Sequence, residues 1–133
     1  MRDFGIELFN RWTIMWNGDL ALAQEIMAPE FTLRYAQPGA SDYDDIHDPK
    51  AFAAQIESFH QQVPGLTFTP QGTPVVEMDD TGTGIIARPY GAQFDGPEGT
   101  RVDVSGTDIL RTENGVIVEV WSVSGGLIGR SFY

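Results

Sequence analysis

Between Phe4 and Val63 the large apolar residues of this chain recur mostly every three or four positions, whereas from Leu66 onward they tend to recur every second position. A helix gathers residues three and four apart onto one face; a strand gathers alternate residues. One element type cannot serve both halves. Helices first and a long antiparallel run afterwards predict an α+β domain, with about three N-terminal helices covering one face of a curved sheet.

In the first half Phe4, Leu8, Trp12, Met15 and Trp16 form one stripe on a helix that stops near Asn17-Gly18. Asp19 stands where it can cap a second, shorter helix from Leu20 to about Met27, which ends before Pro29. Phe31 to Tyr35 then alternates as a short strand. After a polar loop over residues 36–47, Asp48-Pro49 offers a cap and a pre-set first helical residue to a third helix. Its stripe is Phe52, Ile56, Phe59 and Val63, and Pro64-Gly65 ends it. Strands are expected at roughly residues 66–78, 83–94, 101–112 and 116–124. Glycines 82, 84, 91 and 106, in or beside them, read as bulges and bends of a strongly curved sheet. With 133 residues, no internal repeat and no linker, a single domain is expected.

The stretch GTDILRTENGVIVEVW, residues 106–121, reads as two strands joined by Asn114-Gly115. A carboxylate, Asp108, sits within the first. If Asn114-Gly115 is a two-residue type I′ turn, Glu113 faces Val116 and Asp108 faces Trp121; a three-residue loop with a bulge pairs Asp108 with Val120 instead. Val102, Val104 and Leu110 share its parity, and apolar neighbours raise a carboxyl pKa toward the range useful for proton transfer. The bland alternative is an outward, solvated Asp108, or one bonded to backbone.

Composition excludes several functions. Nineteen acidic residues against eight basic ones give a net charge of −11, which repels phosphate backbones and anionic lipid, so neither nucleic acid nor membrane is an expected partner. The lack of cysteine removes disulfides and thiol chemistry, and a start without a basic segment followed by an apolar core makes the cytoplasm the expected location. The acidic run from Ser41 to Asp48 matches neither calcium nor zinc spacing and reads as a solvated loop with a helix cap. There is no phosphate-binding glycine loop and no Ser-His-Asp order with nucleophile-elbow glycines. Any catalysis is expected to be free of metal and cofactor.

Nearly end to end the chain resembles the SnoaL-like polyketide cyclases of the nuclear transport factor two superfamily. The resemblance is carried by Trp-Asn-Gly-Asp-Leu (16–20), Ala-Pro-Glu-Phe (28–31), Val-Pro-Gly-Leu (63–66), Ile-Ile-Ala-Arg-Pro-Tyr-Gly (85–91) and the Asp108 hairpin. It implies a cone-shaped roll enclosing a pocket for an apolar small molecule, in a fold that frequently dimerises. It also implies that Asp108 occupies a position where such cyclases often carry a pocket histidine. The position of the family's usual catalytic aspartate, four residues after the last strand's Trp, is Gly125 here, with Ser122 and Ser124 nearby. Because the superfamily spans isomerases, epoxide hydrolases, dehydratases and binding modules, chemistry does not follow from fold.

The expected function is acid/base chemistry on an apolar oxygenated molecule: cyclisation, isomerisation, dehydration or epoxide opening, with Asp108 as acid/base. Arg88 and Tyr90 share parity on the preceding strand and could orient or polarise a ligand oxygen, although Arg88 could equally be an exposed residue or part of a structural ion pair. Trp12, Trp16, Tyr35, Phe59 and Trp121 are candidate pocket walls; the first four could instead be plain core. His60 flanks the third helix's stripe, at the surface or the pocket rim. The alternative is a non-catalytic binding or dimerisation module. Ile109, Val118 and Val120 are expected on the opposite sheet face, as a homodimer interface.

Overall fold

In the computed structural model, which describes residues 1–133, helix α1 spans Arg2–Trp16, α2 Leu22–Ile26 and α3 Pro49–Gln62. The strands are β1 (Met27–Tyr35), β2 (Thr67–Pro70), β3 (Val75–Met78), β4 (Gly84–Asp95), β5 (Arg101–Glu113) and β6 (Val116–Ser124). They form one curled, unclosed sheet in the order β1-β6-β5-β4-β2, with β3 also paired to β4. Only the β1–β6 pair is parallel. No helix is long and apolar enough to cross a membrane.

Local chemistry accounts for most boundaries. Asp48 caps α3 through Oδ1, which accepts from the Ala51 amide at 2.9 Å, with Pro49 in the first turn. Asp19 does not cap α2: the helix starts at Leu22 without a side-chain cap, and the Leu22 amide bonds the Asp19 carbonyl instead. The run expected over residues 66–78 is two short strands, because Pro70 and Pro74 bracket a segment that leaves the ladder. At the end of α1 the Asn17 side chain imitates a neighbouring strand. Its Nδ2 donates to the Phe68 carbonyl at 2.9 Å and its Oδ1 accepts from the Phe68 amide at 2.7 Å.

The last hairpin sets the register of the whole inner face. Asn114 (φ 51°) and Gly115 (φ 85°) form the two-residue turn, and Glu113 faces Val116 as that turn requires. The ladder then skips Val118, pairing Thr112 with Ile117 but Arg111 with Glu119. This bulge moves every later partner by one place, so Asp108 faces Ser122 rather than Trp121 or Val120. By contrast the β4–β5 ladder runs without a shift from Gly84–Thr112 to Asp95–Arg101, so Gly84, Gly91 and Gly106 mark no bulge in it.

Under the helices lies one apolar cluster joining Phe9, Trp12, Met15, Phe52 and Ile56 to Ile86, Leu110, Ile117 and Val120 from the sheet. Full burial of each such aliphatic side chain is worth roughly 1.5–3 kcal/mol. Val120 is therefore core, not part of an outer face, because the bulge at Val118 turned it inward. A smaller cluster of Val63, Leu66, Ala92, Phe94 and Val104 lies farther along the strands. Between the two the packing opens.

Candidate functional site

A cavity of about 290 Å³ occupies that opening. Its walls are largely aromatic, from Trp16, Tyr35, Tyr43, Phe59, Phe68 and Tyr90, with Trp12 and Asp108 deeper in. Register explains the polar stripe along the sheet side. Tyr35 of β1, Ser122 of β6, Asp108 of β5 and Arg88 of β4 follow one another as partners across the sheet. The next row is Ser124, Gly106 and Tyr90. A β-carbon on Gly106 would stand 2.5 Å from the Tyr90 hydroxyl, so glycine is what lets that phenol lie across β5 toward Ser124, Gln37 and Ser122.

Asp108 is only 6% exposed. The Trp12 indole Nε1 donates to its Oδ2 at 3.0 Å, while its Oδ1 is buried without a hydrogen-bond partner. Burial lifts the carboxyl from its ordinary 3.8 to about 6, against the opposing pull of Ser122 and Trp12. The Ser122 hydroxyl is itself engaged, accepting from Gln37 Nε2 at 2.8 Å. Three more polar atoms of cavity-lining residues are buried without a partner: Trp16 Nε1, the Tyr35 hydroxyl and Gln37 Oε1. The Tyr90 phenol is pushed up to about 12 by burial and by the Asp108 charge, and Tyr35 is raised well above its usual value by the same two causes. Both remain protonated donors. No Lys, Arg or His lines the cavity, and the exposed Asp42 is the one other charged group along it.

Five expected site residues meet here: Trp12, Trp16, Tyr35, Phe59 and Tyr90 all line the cavity with Asp108. Two do not. Arg88 stands opposite Asp108 in the ladder, but its Nε donates to the Gln71 carbonyl at 3.1 Å, in the break between β2 and β3. No ion pair joins it to Asp108, so no cation offsets the rise that burial causes. Trp121 lies opposite Ile109 on the other sheet face, half-buried, because the bulge gave its expected place to Ser122. His60 is also absent from the lining; its Nε2 meets the Trp16 carbonyl.

The acidic run folds as a short 3₁₀ turn, Ala40–Asp45, that turns Tyr43 inward to stack on Tyr35 with ring centroids 4.4 Å apart. A tyrosine amid acids was the available signal for that wall. Gln37 carried none, since its role depends on where the chain passes after β1. No three His, Asp or Glu side chains come together in a way that could hold a metal ion.

A family model described as a SnoaL-like domain matches residues 7–120. The chain belongs to the SnoaL-like family. Similar solved structures include a candidate polyketide cyclase from Acidithiobacillus ferrooxidans, at 16% identity and a TM-score of 0.74, covering 93% of this chain and 89% of that one. Another is IdmH, a candidate polyketide cyclase from Streptomyces antibioticus, at 19% identity and 0.73, covering 90% and 91%. A third is TsrD from Streptomyces laurentii, at 20% identity and 0.67, covering 97% and 92%. At these identities the likeness establishes the shared fold. No curated protein sequence matches at a significant level.

In this SnoaL-like domain the segment after Val120, which carries Ser122, Ser124 and Gly125, lies beyond the matched region. Gly125 offers no carboxylate, and it has no room for one: a β-carbon there would approach the Gly129 Cα to 2.5 Å. The close pass of Gly125 and Gly129 leaves Asp108 as the buried carboxylate of the cavity.

Proposed function

We propose that this SnoaL-like domain moves a proton on an apolar, oxygen-bearing small molecule held in the cavity, with Asp108 as general acid/base. The observation that carries the reading is the asymmetry of that carboxylate: one oxygen is held by Trp12, and the other is buried without a partner. A pKa of about 6 suits a group that must both take and return a proton near neutral pH. Tyr90 lies beside it as an orienting donor, whereas Arg88 is committed to backbone. Cyclisation, isomerisation, dehydration and epoxide opening all fit one carboxyl of this kind. Asp108→Asn is expected to keep the fold and ligand binding while turnover falls roughly a hundredfold or more. The assay is turnover across lactones, epoxides and enones; an Asn variant as active as the parent refutes the assignment.

A second reading, a binding module without chemistry, is favoured by the glycine at 125, whose contact with Gly129 excludes the second carboxylate. Ligand-induced thermal shifts without turnover over the same panel would select it. We also propose a homodimer formed through the outer sheet face, where Ile109 and Trp121 pair beside Val123, which is 54% exposed. Light scattering that finds only monomer at every concentration would contradict this.

A further inference from the structure

We propose that Trp16 and Tyr35 form a donor pair that receives the carbonyl oxygen of the ligand, which makes the substrate an enolisable ketone or ester. The assignment rests on Asp108 being the proton-transferring group. Removing a proton beside a carbonyl places negative charge on oxygen, and preorganised donors aimed at that charge are usually the largest source of rate. No cationic side chain lines this cavity, so neutral donors must meet the charge.

Most polar side chains of the cavity already have protein partners. Trp12 Nε1 donates to Asp108, Gln37 Nε2 to Ser122 and Thr13 Oγ1 to the Phe9 carbonyl, while Ser124 Oγ accepts from the Gly126 amide. Tyr90 lies against Ser124, Gln37 and Ser122, and Tyr43 against Gln55. Two buried donors have no partner other than each other, the Trp16 indole N–H and the Tyr35 hydroxyl. They are neighbours: the ring centroids are 6.3 Å apart at 30°, and the indole lies close enough to act on the ionisation of the phenol. A carbonyl oxygen has two lone pairs and can accept both. Tyr35 keeps its proton, because its pKa lies well above the usual value. Tyr35 also follows Ser122 and Asp108 across the sheet, and the Asp108 charge acts on its ionisation, so the donor pair and the carboxylate face the same cavity.

The step balances without a co-reactant. Asp108 Oδ1 takes the proton from the carbon beside the carbonyl, the C–H pair becomes a C=C bond, and the carbonyl π pair moves onto oxygen, where Trp16 and Tyr35 donate to it. Return of the proton from Asp108 to carbon re-forms the carbonyl.

The probes are 1-tetralone and 2-tetralone carrying a ¹³C carbonyl, with binding followed by tryptophan fluorescence, the carbonyl stretch by difference infrared, and hydrogen–deuterium exchange beside the carbonyl by NMR. In the parent protein the bound carbonyl band is expected to shift to lower frequency. Tyr35→Phe, which keeps the ring stacked on Tyr43, is expected to reverse most of that shift and slow exchange roughly a hundredfold. Trp16→Phe is expected to act in the same direction. Asp108→Asn should lose exchange and keep the shifted band. A band equally shifted in the parent and in both ring variants overturns the donor pair, as does failure of both ketones to bind the parent. Exchange that survives Asp108→Asn overturns the acid/base reading instead, and the infrared result still decides the pair.

Discussion

Two carboxylates of the β5–β6 hairpin, one on its inner and one on its outer face, are held in opposite ways. Glu119, on the outer face, receives Arg34 and Arg111, the latter at 2.9 Å, and hydrogen bonds from these two guanidinium groups hold its pKa below the usual glutamate value. Asp108, on the inner face and three pairs along the ladder, has no cation, only the Ser122 hydroxyl and the Trp12 indole beside it, and a pKa of about 6. Glu119 is held in its charged form; burial favours the neutral form of Asp108. The chemistry of an acid on a sheet is thus set by which side of the pleat it occupies and by what the neighbouring strands bring to that side.

The contrast fixes opposite slopes of stability with pH. For Asp108 the folded pKa lies above the unfolded one, so the native state holds its proton more tightly, and stability present below pH 4 is lost as pH rises to about 6. Two pKa units correspond to about 3 kcal/mol for a group this deeply buried. Asp108→Asn is therefore expected to be more stable than the parent by about that amount at pH 7.5 in urea denaturation and equal to it at pH 4; a gap independent of pH would break the contrast. Next in size is Trp12→Phe, which deletes the donor to Oδ2. Losing a hydrogen bond to a charged group costs roughly 1.5–3 kcal/mol, and the acid limb of any pH–rate profile should move upward from about 6. An unmoved limb would show that the indole does not act on the carboxyl. The smallest effect belongs to Glu119→Gln. Its stabilisation is present above the usual glutamate range and lost as pH falls, and an ion pair this near the surface is worth about 1 kcal/mol or less. Denaturation midpoints at low and high salt should converge for this variant and its parent, and turnover should not change.

Much of this arrangement was legible in the residues. Alternation along β5 placed Asp108 with Val104 and Leu110, and Asn114-Gly115 announced its own turn, because both residues must adopt positive φ. What could not be read was the partner. Val118 sits between Ile117 and Val120 in a run where any residue could be the extra one, so the bulge leaves no compositional mark, yet it exchanges Trp121 for Ser122 at the cavity and draws Val120 into the core. Arg88 shows a second limit. Its parity was right, but its guanidinium follows the carbonyl of Gln71, a group exposed only because two prolines split the facing strand. Gln37 and Tyr43 reach the cavity through a loop whose path no periodicity encodes.

With Oδ2 tied to the indole and Oδ1 without a partner, a proton acceptor in this cavity has one working oxygen. A hydrogen lifted from a bound molecule and one delivered to it would then pass through the same point, on the same side of the ring plane. If Asp108 does the proton transfer proposed above, that transfer would be suprafacial, taking and delivering hydrogen on one face, and isotope placed on the departing carbon would reappear in part on the receiving one.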